Sequence, residues 1–232
     1  MTDKLILTPR LAAAADLVRP QSFVADVGTD HAYLPIALCL DGRIKGGVVS
    51  DINQGPITRA RENIKKYGLD DRLCAVRTDG LCGIDIYDPE DIMILGMGGE
   101  LIASIIGNAP WTKNKKIQLC LQPMTHPEHL RAFLVHNGYA ITDERIVRED
   151  DKIYQIILSR YTGETYQLSE EELLIGKINI ERGGDNLCAL ADHHIGVLSR
   201  RVRGIESAGG CADKERCLIE KIHTAKHKGE NI

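Results

Sequence analysis

Acidic side chains recur at short, regular distances along the first third of the chain, each beside a glycine or at the end of an apolar run. Asp26 and Asp30 flank Gly28 in "DVGTDHA", Asp51 follows "VVS", and Asp79 precedes Gly80 in "RTDG". A further glycine cluster, Gly96, Gly98 and Gly99 in "LGMGGE", comes after a fourth apolar run. Glycine after a strand lets the backbone approach a ligand closely, and an acid at the end of a second strand is placed to accept hydrogen bonds from ribose hydroxyls. Asp79 is placed to take an adenine amino proton, with Gly80 leaving room for the ring.

The first turn sets the kind of ligand. A dinucleotide fingerprint would carry three glycines, whereas here Gly28 stands alone and Asp30 and Ala32 fill the next two slots. A pyrophosphate wants an open helix N-terminus free of negative charge, and Asp26 and Asp30 would repel it. A carrier with a sulfonium and an amino group is attracted by the same carboxylates. The expected cofactor is therefore S-adenosyl-L-methionine, with S-adenosyl-L-homocysteine as product, lined by Asp26, Gly28, Thr29, Asp51, Ile52, Asp79, Gly80, Gly96, Met97, Gly98 and Gly99.

Each residue also has a plainer reading. Asp26 suits a turn cap bonded to loop amides, His31 and Tyr33 suit packing as well as substrate contact, and Gly98 with Gly99 suits a tight turn. His126 and His129 in "MTHPEH" have metal-like spacing, but Pro127 opens a helix and no third ligand is evident, so no metal is expected. His193 and His194 are adjacent on a helix and point to different faces.

The elements that must position these residues follow from hydrophobic patterning. Thr8 and Pro9 start a helix, with the Thr8 hydroxyl as cap, and Pro20 stops it. Strands are predicted at 23–27, 45–51, 72–78, 91–95 and 117–122, with helical periodicity between them. This alternation implies a parallel sheet covered on both faces. Residues 139–150 and 152–160 are extended runs separated by a short charged turn and must pair as an antiparallel hairpin. Residues 162–169 read as a linker; beyond it Leu187 to Ile205 mark a long amphipathic helix, Gly209 and Gly210 break it, and a second helix folds back.

Composition sets outer limits. The chain has 232 residues, 43% hydrophobic and 27% charged, which suits one full-sized domain and a smaller one. No apolar run reaches the roughly 20 residues of a membrane span, the N-terminus lacks a signal-peptide core, and the seven cysteines form no C-x-x-C pair. A reducing cytoplasm is the expected setting, with a monomer the default. The net charge of −4 opposes a general grip on nucleic acid, but residues 193–228 hold eight Lys and Arg against four Asp and Glu. Arg200, Arg201 and Arg203 lead that basic stretch.

Together "ADVGTDHAYLP", the acid after "VVS", "DG" at 79–80, "LGMGGELI", "LQPMTHPEHLRAFLVHNGY" and "EDDKIYQII" resemble the bacterial tRNA (adenine(22)-N(1))-methyltransferase family, in order from about Leu11 to Leu158. The resemblance implies a Rossmann-like class I methyltransferase of α/β class. Its sheet would be mostly parallel and seven-stranded, ending in an antiparallel hairpin, with a small α-helical, coiled-coil-like domain behind it. The implied division is 1–163 for catalysis and 164–232 for tRNA contact. It places Asp30 at the position of the catalytic carboxylate and Gln122 and Met124 near the base pocket; His31 and Tyr33 are second-choice base contacts, and Arg200, Arg201 and Arg203 of the basic stretch are the candidates for gripping RNA phosphates. Two departures stand out: Asp51 where the family commonly has Glu, and Met124 where its motif has Asn. The competing readings are a nicotinamide-dependent oxidoreductase, which needs the missing glycines, and a non-catalytic RNA- or partner-binding module on the same scaffold.

Overall fold

The computed structural model of the protein describes residues 5–228, the side chain of Lys228 excepted. The Lys228 charge counted above and the first four residues therefore lie outside the described part.

Short runs rich in Val, Ile and Leu are buried on both faces and form the strands of a parallel sheet. They are β1 (Phe23–Val27), β2 (Gly46–Asp51), β3 (Leu73–Arg77), β4 (Asp91–Gly98) and β5 (Gln118–Thr125). The charged pair Asp150 and Asp151 then turns the chain, so that β6 (Tyr139–Glu149) and β7 (Lys152–Tyr161) pair antiparallel. Among the described residues these make one seven-stranded sheet in the order β3-β2-β1-β4-β5-β7-β6, with β7 antiparallel to β5. This is the Rossmann-like methyltransferase plan. Strand order reverses between β1 and β4, which opens a crevice beyond their C-terminal ends.

The alternation of side chains along β4 divides the core in two. Met93 joins a cluster with Val24, Val49 and Ile36 on one face, while Ile92 and Ile94 join Ile102, Ile106 and Leu130 on the other. The first cluster is covered by α1 (Pro9–Ala15), α2 (Tyr33–Leu40) and α3 (Gln54–Lys66), the second by α4 (Gly99–Gly107) and α5 (Pro127–His136).

Two expectations for α1 need correction. Thr8 makes no side-chain cap hydrogen bond. The helix ends at Ala15, before Pro20: the chain tightens as Leu17 and Val18 N–H donate to the Ala14 and Ala15 carbonyls at 3.1 Å, and Arg43 donates to the carbonyls of Asp16 and Val18 at 2.8 and 3.3 Å.

After residues 162–169, which carry no regular structure, four helices follow among the described residues: α6 (Glu170–Ile175), α7 (Lys177–Arg182), α8 (Asp185–Ser207) and α9 (Asp213–Lys228). The sequence reading missed α6 and α7, although Ser169 and Glu172 form a capping box whose S-x-x-E spacing is visible in "LSEEEL". Helices α8 and α9 run antiparallel: Lys226 near the end of α9 pairs with Asp192 near the start of α8 at 2.7 Å, and Arg216 pairs with Glu206 at the other end. Ile175, Leu187, Leu190, Ala191, Ile222 and Ala225 form their core, and Ile146 and Ile153 of the hairpin pack against it.

A buried polar knot ties the helices to the sheet. Arg131 on α5 donates to Glu144 on β6 at 2.7 Å, to Gln155 on β7 at 2.7 Å, and to the Leu173 carbonyl at 2.8 Å. Glu144 also accepts from the Ile178 N–H at 2.9 Å. Burial of these groups is tolerable because their partners replace water.

Candidate active site

The turn after β1 builds the site. Gly28 adopts φ +80°, a conformation that a side chain would strain, and donates its N–H to the Ser50 carbonyl at 2.8 Å. A Cβ at this position would also run into the Met97 methyl. The turn thus lies directly against the C-terminal end of β4. Thr29 accepts from the Ala32 N–H at 3.0 Å, and Ala32, at φ 57°, opens α2.

Asp26 is buried at the back of this turn. Loss of water pushes its carboxyl up to about 6, partly opposed by the hydrogen bond from Thr29. Asp30 points the other way, into solvent. Its carboxylate takes the Arg59 Nε at 3.1 Å and lies 3.1 Å from His31 Nε2. The Arg59 guanidinium holds the Asp30 carboxyl below the usual range. His31 stacks on Tyr33, with ring centroids 4.9 Å apart and planes 8° from parallel. One helical turn beyond Arg59, Asn63 donates to the His31 carbonyl at 3.0 Å, so a single face of α3 braces the loop twice. Sequence reading missed both residues, although their i, i+4 spacing marks them as neighbours on one helix face.

Asp26, Gly28, Thr29, Asp30, His31, Tyr33 and Gly96 line one cleft of about 270 Å³, together with Arg10, which was not predicted. Asp51, Ile52, Asp79 and Gly80 lie at the C-terminal ends of the neighbouring strands β2 and β3, outside that lining. Asp51 accepts from the Asn53 N–H at 2.7 Å, and Ile52 is exposed. Gly80 packs its backbone against Ile105. Gly98 abuts the Thr125 hydroxyl, and a Cβ on Gly99 would stand 2.3 Å from the His126 carbonyl oxygen.

Gln122 and Met124, both expected on the substrate side, part company. Gln122 is fully buried and its amide is spent inside the protein. It accepts from Arg10 Nη1 at 2.8 Å and from Gly96 N at 3.1 Å, and donates to the Pro123 carbonyl at 3.0 Å. Met124 is half exposed beside it. Arg200, Arg201 and Arg203 lie on α8 rather than in the cleft, and Arg201 pairs with Glu215 at 3.2 Å. In "MTHPEH" the structure supplies the third donor that sequence reading did not see: Glu128 joins His126 and His129, with ligand atoms within 4.8 Å of one another. His129 also meets Glu100 at 2.8 Å.

Residues 7–157 match the family described as "Methyltransferase domain". The tRNA (adenine(22)-N(1))-methyltransferase of Bacillus subtilis is 35% identical over 157 residues, which cover 68% of this chain and 66% of that protein. Among solved structures, the B. subtilis M1A22 tRNA methyltransferase TrmK superposes with a TM-score of 0.79 at 27% identity, over 98% of both chains. M. capricolum TrmK, solved with S-adenosyl-homocysteine, gives 0.82 at 26% identity, over 96% of this chain and 98% of its own. The chain belongs to the methyltransferase-domain family and takes its place there beside the bacterial tRNA (adenine(22)-N(1))-methyltransferases.

Proposed function

We propose that this protein is an S-adenosylmethionine-dependent methyltransferase that modifies N1 of an adenosine in tRNA, at position 22 as in its named relatives. One observation carries the reading: a buried carboxyl, Asp26, lies behind a glycine-opened turn at the strand-order reversal. A diphosphate would be repelled there, whereas a cationic ligand relieves the desolvated acid. The residues present fit the cofactor. Asp26 would face its positive end, Asp51 would serve the ribose hydroxyls, Asp79 and Gly80 the adenine, and Gly96 to Gly99 would leave room for the methionine chain.

When bound, S-adenosylmethionine supplies an electrophilic methyl group. The chain's own task is alignment, since adenine N1 carries an in-plane lone pair and needs no strong base beforehand. As N1 becomes alkylated, the exocyclic amine grows more acidic. Asp30 is the carboxylate that holds that amine and takes up its proton. His31 and Tyr33, already stacked on each other, offer a flat surface to a base drawn out of folded RNA, and Arg200, Arg201 and Arg203 grip phosphates. The setting is cytoplasmic and the working unit a single copy.

The decisive experiment is methyl transfer to unmodified tRNA followed by mapping of the modified nucleotide. N1-methyladenosine at position 22 is expected. Absence of transfer, or tight binding of a dinucleotide in its place, would overturn the proposal.

A further inference from the structure

Among the described residues, one group of three metal-ligating side chains draws close enough to hold a single ion, and it stands outside the cleft lining: His126, Glu128 and His129. The local chain explains the cluster. His126 follows β5 in the left-handed region at φ 52°, a conformation histidine tolerates better than most residues, and Pro127 then starts α5. This brings the His126 ring beside the first turn of its own helix, 5.2 Å from the ring of His129 and with planes 17° apart. His126 Nδ1 is 3.1 Å from Glu128 Oε1. Adjacent ligands that each sit about 2.1 Å from one ion stand roughly 3.0–3.4 Å apart, so this separation already suits two ligands of one ion.

A fourth residue comes from another helix. Glu100, at the start of α4, meets Nδ1 of His129 at 2.8 Å. A carboxylate on one imidazole nitrogen fixes the tautomer and turns the other nitrogen toward a metal. Glu100 and Glu128 also bring two full negative charges to a place where two helices begin, more than the partial positive charge of both N-termini together. His126 and His129 are more than half exposed, so an ion can enter and keep water in its open positions. Two imidazoles and a carboxylate suit a divalent ion of the zinc, nickel or cobalt class; magnesium and calcium, which take oxygen ligands, do not fit. We infer that His126, Glu128 and His129 bind one divalent transition-metal ion, with Glu100 as the positioning residue, and that the ion ties the start of α4 to the start of α5. Gly99, the residue before Glu100, already packs its backbone against the His126 carbonyl, so the tie would steady the ends of β4 and β5 beside the cleft. This rests on the four side chains and not on the cofactor reading.

Calorimetric titration of the full, chelator-treated chain with zinc tests the site, and cobalt(II) serves as a spectroscopic probe. One zinc ion per chain is expected, with a Kd tighter than about 100 μM. His126→Gln and His129→Gln should each weaken it at least about tenfold and Glu100→Gln about tenfold, while His223→Gln on α9 stays within about twofold. Cobalt should show d–d bands of nitrogen and oxygen ligation without a thiolate charge-transfer band, which separates this site from the exposed Cys82, Cys211 and Cys217. Saturating zinc should raise the Tm of the unaltered protein and leave that of the double variant His126→Gln with His129→Gln unmoved. Metal-free melting curves check that each variant folds; should a histidine variant not fold, Glu128→Gln carries the test with the same expected loss. A Kd weaker than about 100 μM in the unaltered protein, or affinity unchanged in the double variant, would overturn the inference. So would cobalt ligation by thiolate in place of nitrogen, zinc affinity untouched by Glu100→Gln, or a Tm that bound zinc does not move.

Discussion

Arg131 and Glu144 meet at 2.7 Å with both side chains shut away from solvent, and between them they bond α5, both hairpin strands and the start of the helical unit. Removing one member of such a pair leaves the other as an uncompensated buried polar group. Arg131→Met should therefore lower unfolding free energy by about 3–5 kcal/mol in urea titrations. The double variant Arg131→Met with Glu144→Leu should recover only part, since the Ile178 N–H and the Leu173 carbonyl would still lack their partners.

Asp26 carries the opposite sign from most structural carboxylates. Its carboxyl is raised from 3.8 to about 6 by burial, so between those values the folded protein holds a proton that the unfolded chain has released. Stability is thus lost as pH rises through this window, by up to about 3 kcal/mol from this group. Asp26→Asn should be more stable than the unaltered protein at pH 7.5, and the difference should shrink toward pH 4.5 in parallel denaturation curves. Cofactor affinity should fall below about pH 6 in the unaltered protein, as the carboxyl takes up its proton. That fall should be missing in Asp26→Asn.

Asp30→Ala should keep cofactor affinity and lose at least about tenfold in methyl transfer, the usual worth of a positioned acid–base group. Unchanged turnover would remove Asp30 from the chemistry. Because Arg59 holds the Asp30 carboxyl below its ordinary range, Arg59→Ala should move the acid limb of the pH–rate profile to higher pH.

Gly99→Ala tests how tightly the start of α4 is pressed against the turn between β5 and α5. The new methyl would stand 2.3 Å from the His126 carbonyl oxygen, a backbone atom that cannot swing aside. A loss of about 1–3 kcal/mol is expected by thermal or urea unfolding, with weakened activity as the end of β4 that carries Gly96 to Gly98 shifts.

Replacing Arg200, Arg201 and Arg203 together with Gln should weaken tRNA binding and flatten its dependence on salt. The slope of log affinity against log salt should drop by about one unit for each arginine that meets a phosphate. Filter binding across a salt series measures both. No change in either would leave this stretch an ordinary solvated face of α8.

Local pattern carried much of this molecule. The alternation of apolar runs implies the sheet, and the placing of Gly28 between Asp26 and Asp30 implies a cationic ligand. What stayed hidden depends on partners far apart in sequence. Arg10 finds Gln122 across 112 residues, and Arg59 finds Asp30 across 29, distances over which periodicity carries no information. Gln122 was legible as part of a motif, yet not that its amide would turn inward. The short helices α6 and α7 escaped because six residues give no amphipathic repeat to read, although the Ser169 to Glu172 box announced the first of them.

The Arg131 knot gives the linker at 162–169 an unexpected character. A chain cut after Gly163 would strip Arg131 of the Leu173 carbonyl, deprive Glu144 of its Ile178 donor, and uncover Ile146 and Ile153. The seam that looks soft in sequence is therefore welded in three dimensions. Evolution could lengthen the α8–α9 hairpin at its free tip, but exchanging the whole helical unit for another module would first require that this interior be rebuilt.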